Sequence, residues 1–176
     1  FPEAIITENE TEGWLLIDAI YHEGFRNTLF DIIQNKETIS RDDVAIRGSA
    51  GKYLEAHRPT SLVSKTLILE QSNSAVLFND RFFLKLYRKL SFDINPDLEI
   101  IRFLSAKTGF KNIPLFAGAL SLETDGQQTT LLGMMQQAIS NQGDAWHLFR
   151  KMVKKHLDIF LEKSQTDKPP EIPEPD

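Results

Sequence analysis

Two residues stand out for the chemistry they can do together. Lys85 lies in the run Phe82-Phe83-Leu84-Lys85-Leu86-Tyr87, and Glu99 lies in Asn95-Pro96-Asp97-Leu98-Glu99-Ile100. A lysine on a strand, fixed by a carboxylate on the helix that follows, makes an ion pair able to grip a polyphosphate. Each residue also has a plainer reading. Lys85 alternates with Phe83 and Tyr87, the spacing of a lysine that lays its stem on apolar surface and its head in water. Glu99 is equally a first-turn acid favoured by the helix dipole.

Other motifs fail on spacing. Gly51-Lys52 is not a phosphate-binding Walker loop, because Ile46 stands where its first glycine belongs and Tyr53 replaces the hydroxyl residue. Gly48-Ser49-Ala50-Gly51 lacks the spacing of a hydrolase nucleophile elbow. His22, His57, His147 and His156 show no i,i+4 pairing, so no zinc site is expected. His156-Leu157-Asp158 imitates a catalytic H-x-D but sits inside an amphipathic pattern with Leu157 on the apolar stripe, and reads as helix surface.

The elements that must position Lys85 and Glu99 are legible from punctuation. Leu67-Ile68-Leu69, the polar turn Gln71-Ser72-Asn73-Ser74, Ala75-Val76-Leu77-Phe78, the tight turn Asn79-Asp80 and the Lys85 run predict three antiparallel strands. Asn95-Pro96-Asp97 supplies a cap, a proline at the first helical position and a first-turn acid. That helix is expected to reach about Lys107 and to bury Ile100, Phe103 and Leu104. Two more strands, Leu115–Leu122 and Thr129–Gln136, are joined by the turn Thr124-Asp125-Gly126.

Upstream, Thr7 to Glu12 is polar, acidic and expected to be poorly ordered. Phe25, Leu29, Ile32 and Ile33 recur at helical spacing within 18–35. Ser40-Arg41-Asp42-Asp43 is a polar break, and Val44-Ala45-Ile46 leads into a turn containing Gly48 and Gly51. Downstream, Trp146, Phe149, Val153, Leu157 and Phe160 mark a helix over about 143–163, and the tail from Lys168 is rich in proline and acid.

The chain is α+β, with the order β-β-β-α-β-β in its middle. That is the plan of a protein-kinase-like N-lobe: a five-stranded antiparallel sheet with one packed helix. The expected divisions are a small α/β cap subdomain over 1–60, the lobe over 61–141, a helix over 142–164 and a disordered tail over 165–176.

Bulk properties set outer bounds. The 176 residues carry a net charge of -5, with 41% hydrophobic and 26% charged side chains, a balance that supports a core. The acidic balance gives no general attraction for nucleic acid or an anionic membrane, and no stretch reaches the ~18 apolar residues of a membrane span. Without cysteine, disulfides and thiolate metal sites are excluded, and a reducing cytoplasm is the expected location. The opening Phe1-Pro2-Glu3-Ala4, lacking an initiator methionine, reads as an excised segment or a processed chain, with excision the favoured expectation.

Four ordered runs resemble one family. Glu70-Gln71-Ser72-Asn73-Ser74, Arg81 to Leu86, Asn95 to Ile100 and Asn141-Gln142-Gly143-Asp144-Ala145-Trp146 are similar to the N-lobe of bacterial maltokinases, a module also found fused behind trehalose synthase. The likeness is close from about Leu67 to Trp146 and weaker from Gly13 to Tyr53. It implies transfer of the γ-phosphoryl of ATP to maltose or a related sugar, giving maltose 1-phosphate. Ser72, Asn73 and Ser74 would form the phosphate-covering turn, which departs from the glycine-rich loop of protein kinases. Lys85 would hold the phosphates and Glu99 would orient it. Gln136, Gln137, Ala138 and Ile139 would be the hinge that receives adenine, and Asn141 to Trp146 would shape the cleft entrance.

The resemblance places the catalytic aspartate, the Mg²⁺ ligands and the sugar contacts in a C-lobe beyond this chain. No catalytic residue and no metal ligand is therefore expected here, and the segment would be inactive alone. A trehalose synthase domain in the same parent chain is the implied partner. The competing expectation is a non-catalytic module that couples a trehalose synthase to a partner, its parent carrying a trehalose synthase or amylase name.

Overall fold

The computed structural model describes residues 4–67, 73–92, 94–107, 109–124, 128–141, 143 and 145–166. The chain divides into two compact units, Phe1–Ile139 and Ser140–Asp176.

The first unit begins with a hairpin, β1 (Ile5–Asn9) and β2 (Trp14–Ile17). The polar opening is thus ordered. The Asn9 side chain accepts the N–H groups of Thr11 and Glu12, each at 3.0 Å, and so closes the turn. After a 3₁₀ turn at Ala19–Tyr21 comes α1 (Glu23–Asn35), where His22 Nδ1 accepts from Phe25 N at 3.3 Å. Lys36 ends the helix in the left-handed conformation.

Two strands follow, β3 (Thr38–Arg41) and β4 (Val44–Ala50), then the short α2 (Lys52–Ala56). The meander consists of β5 (Ser64–Leu67), β6 (Asn73–Phe78) and β7 (Phe82–Tyr87). The expected strand residues Ile68 and Leu69 and the turn residues Gln71 and Ser72 lie outside the described residues. Next come α3 (Pro96–Lys107), β8 (Phe116–Thr124) and β9 (Gln128–Gln137).

One antiparallel sheet of seven strands results, in the order β3-β4-β8-β9-β7-β6-β5. This corrects the expectation of a five-stranded sheet with one packed helix. Val44 to Ala50 pairs with β8 from Thr124 to Gly118 and brings β3 along. Arg47 clamps Glu123 across that pairing with two bonds of 2.9 and 3.0 Å. The glycines that suggested a turn serve a different purpose. A Cβ on Gly48 would collide with the carbonyl of Ile32, so the strand glycine exists to let α1 lie close on the sheet.

Helices pack against both faces of this sheet, α1 and the short α2 with its buried Leu54 on one and α3 on the other. The α1 face is closed by Phe30, Ile33, Phe78, Phe82, Leu84 and Met135, each 1% exposed or less. Phe30 meets the rings of Phe78 and Phe82 at 4.9 and 5.6 Å. Strand alternation sends Met134 to the other face, and the irregularity in the β8–β9 register between Leu120 and Ser121 brings Leu131 to the same side, where Leu98 and Ile101 of α3 pack on them. No residue of α3 is fully buried. Ile100 and Phe103, expected in the core, are 55% and 54% exposed, and Leu104 is half-buried. The helix turns on Leu98 and Ile101 instead.

The second unit contains α4 (Ala145–Thr166). Its stripe of Trp146, Phe149, Leu157 and Phe160 is exposed. His156 and Asp158 lie within this helix, and the tail beyond Thr166 lies outside the described residues. Among the described residues no helix is long and apolar enough to cross a membrane.

Candidate functional site

Strand register places Lys85 between Ala75 of β6 and Met134 of β9. Phe82, Leu84 and Leu86 pack with the α1-side core, so Phe83, Lys85 and Tyr87 point to the α3 face. Beside Lys85 the small Ala75 leaves room. The result is a cleft of about 420 Å³ between the sheet and α3, to which Ser74, Lys85, Asp97, Ile101, Met134 and Gln136 contribute.

The carboxylate that meets Lys85 belongs to Asp97. Lys85 Nζ donates to Asp97 Oδ2 at 2.7 Å, and the Tyr87 hydroxyl donates to the same oxygen at 3.3 Å. The ammonium also stands 5.0 Å from the centre of the Tyr87 ring. Asn95 fixes the helix start, its Oδ1 accepting from Asp97 N at 3.0 Å and from Leu98 N at 3.4 Å.

This corrects the pairing expected of Glu99. Residues two apart on a helix point about 200° apart, so Asp97 and Glu99 cannot both face the sheet. Leu98 and Ile101 set the packed face, and Asp97, four residues before Ile101, shares it. Glu99 is exposed and outside the cleft. The i,i+4 relation to the packed residue was the signal in the sequence.

The electrostatics follow from these contacts. The hydrogen bond from Lys85 holds the Asp97 carboxyl below the usual carboxylate range, against a smaller opposing effect of burial. Burial, then the negative charge of Asp97, pushes the Tyr87 phenol well above its ordinary value. Tyr87 therefore remains a hydrogen-bond donor.

The other expected site residues divide. Asn73 and Ser74 line the cleft, but as the first residues of β6 paired with Tyr87 and Leu86, not as part of a turn. Ser72 lies outside the described residues. Gln136 lines the cleft on β9. Gln137 N donates to Leu115 O at 2.8 Å and Ala138 N to Arg81 O at 2.7 Å, so both amides are engaged within the protein. Ile139 follows them, 51% exposed.

Sequence reasoning missed Asp97, Tyr87 and Arg88. Arg88, one residue past β7, donates through Nε to Ser74 Oγ at 2.9 Å and through Nη2 to Asp18 Oδ2 at 3.2 Å. A second cation thus stands at the Ser74 end of the cleft. Its only sequence signal is that it follows a cleft-facing strand residue.

Chemically, the arrangement offers a positioned ammonium, a hydroxyl with a guanidinium behind it, and apolar walls from Ala75, Phe83 and Met134. That combination suits a molecule with an anionic end and a flat apolar body. For a nucleotide, the residues fit. For Mg²⁺ they do not: among the described residues Asp97 is the only carboxylate lining the cleft, and it is committed to Lys85. Among the described residues no group of three or more His, Asp and Glu side chains is arranged to hold a metal. No family model matches the chain.

Proposed function

We propose that the chain is the nucleotide-holding part of an ATP-dependent sugar kinase of the maltokinase type. One observation carries this reading: Lys85, on a central strand, is held at 2.7 Å by a helix carboxylate inside a cleft with apolar walls. The Lys85 ammonium would take the α- and β-phosphates, and Asp97 would keep it pointed at them. Met134, Ala75 and Phe83 would flank the base. Ser74, backed by Arg88, would donate to the phosphate end. Adenine reception would rest on Gln136 and Ile139 and on backbone carbonyls, since the amides of Gln137 and Ala138 are engaged.

The whole enzyme would transfer the γ-phosphoryl of ATP to maltose in a reducing cytoplasm, with Mg²⁺ ligands, catalytic aspartate and sugar contacts supplied outside this chain. The test is calorimetric titration of the chain with ATP alongside Lys85→Ala. Binding by the parent that is lost in the variant supports the reading, and equal binding by both removes it.

A second reading is favoured by a separate observation. Trp146, Leu148, Phe149 and Phe160 of α4 expose between 60% and 67% of their surface, an apolar display suited to docking. On this reading the chain couples a trehalose synthase to a partner and transfers no phosphoryl group. A folded full-length protein that leaves maltose unphosphorylated would favour it.

A further inference from the structure

A second concavity, of about 470 Å³, lies at the other end of the β6–β7 hairpin, between that hairpin's turn and the segment following α2. Among the described residues its charged and titratable lining consists of His57, Arg58 and Arg81, with no aspartate or glutamate. A basic hollow in a chain of net charge -5 runs against the overall field. The two nearest carboxylates in sequence are committed elsewhere, Glu55 to Lys36 and Asp80 to Lys65, each at 2.7 Å. Among the described residues no salt bridge reaches either guanidinium, although the Arg58 charge also acts on the Glu55 carboxylate and helps to hold its pKa below the usual range.

The walls are preorganised. Asn79, in the left-handed region at φ 50°, receives Val63 N on Oδ1 at 2.7 Å and donates Nδ2 to Ser61 O at 2.7 Å. Its own N–H reaches Val63 O at 2.9 Å, so three bonds tie the Ser61–Val63 wall to the hairpin turn. Arg81 is fixed by its backbone at both ends, through its N–H to Phe78 O and its carbonyl to Ala138 N. Arg58 is steadied by one bond from Nη2 to Gln34 O at 2.6 Å, which leaves its remaining donors available. The His57 ring lies tilted against that of Tyr53, their centres 4.5 Å apart. Its Nδ1 must donate to the Tyr53 carbonyl at 2.9 Å, so in the neutral ring Nε2 is an acceptor and the anion donors of the hollow are the two arginines and the hydroxyls.

Two exposed guanidinium groups among the lining of one polar hollow supply the forked donors that suit a tetrahedral oxyanion with several acceptor oxygens. We infer that this hollow is a binding site for a phosphate group, distinct from the Lys85 cleft, with Arg58 and Arg81 as its principal ligands and Ser61 and Thr60 as hydroxyl donors at its rim. The phosphate arrives either as the free ion or as a small phosphate monoester. The site does not depend on the nucleotide reading of the Lys85 cleft.

The test is a titration of the isotopically labelled chain with inorganic phosphate, against sodium chloride at matched ionic strength, followed by amide chemical shifts. Saturable shifts at His57–Ser61 and Asn79–Arg81 are expected. Arg81→Gln, which removes no contact among the described residues, should weaken binding by about tenfold or more, the weight of a charged hydrogen bond. Arg58→Gln should act likewise, and Lys85→Ala should leave the binding unchanged. A parallel titration with glucose 1-phosphate separates the sources: tighter binding than phosphate assigns a monoester, equal or weaker binding assigns the free ion. Shifts no larger than those in chloride, or Arg81→Gln binding as well as the parent, would overturn the site.

Discussion

The two faces of the sheet are built from the same strands and differ in almost every other respect. Against α1 the rings and branched chains of Phe30, Ile33, Phe78, Phe82 and Leu84 interlock with essentially no exposure. Against α3 the contact is narrow, no helix residue is fully buried, and an ion pair bridges the gap. Close packing stabilises but leaves no room for a ligand. A loosely seated helix gives up that stability and leaves a cleft between itself and the sheet. The division explains why the Lys85 cleft opens on the α3 face, where packing is incomplete and charge is positioned.

The contrast can be broken by substitution. Phe30→Ala should have the largest effect, destabilising the chain by about 3–5 kcal/mol through lost burial and the cavity left behind. Ile101→Ala, on the α3 face, should cost clearly less, since its site is half-open to water. Urea unfolding of both variants checks this, and equal losses would remove the distinction between the faces. Gly48→Ala should follow at about 1–3 kcal/mol, because the new methyl meets the Ile32 carbonyl and forces α1 off the sheet.

Asp97→Asn sharpens the comparison from the other side. Both members of the pair are partly exposed, so its loss should cost at most about 1 kcal/mol of stability. The Asp97 pKa is lowered on folding, so the pair's contribution is fully present above the ordinary carboxylate pKa and is lost as pH falls through the folded value. Acid titration of the unfolding free energy should therefore be shallower in Asp97→Asn. An unchanged acid slope would show that the pair does not form in solution. Tyr87→Phe should be the smallest change, removing one bond of 3.3 Å from Asp97 and leaving the ring beside the ammonium.

What could be read from the sequence depended on whether the signal was local. The start of α3 was legible because Asn95 and Pro96 announce it within two residues. The strands around Lys85 were legible because turns bracket alternating apolar runs. By contrast, β4 was read as a lead into a turn. Its Gly48 answers to a helix carbonyl sixteen residues earlier in the chain, a cause that local sequence does not display. The β1–β2 hairpin was missed because an Asx turn hides in an acidic stretch.

The site shows the same divide. Lys85 lies on a strand that is legible from the sequence, and so is its place opposite the helix. Its partner was misassigned because resemblance supplied a glutamate near the helix start, whereas helical phase, fixed by Leu98 and Ile101, selects Asp97. Arg88 reaches Ser74 and Asp18 only once the strands are paired. Side-chain direction, set by tertiary packing, was the missing information.

The pairing of Lys85 with Asp97 is also the most direct point of attack on the functional account. On the proposed reading, the measurement is ATP-dependent phosphorylation of maltose with the catalytic lobe that reading requires present, comparing Lys85→Ala, Asp97→Asn and Glu99→Gln. The account predicts that Lys85→Ala and Asp97→Asn each lower kcat/KM by about a hundredfold or more, the scale of a lost positioning group, while Glu99→Gln stays near the parent. Loss of activity in Glu99→Gln with Asp97→Asn unaffected would contradict it.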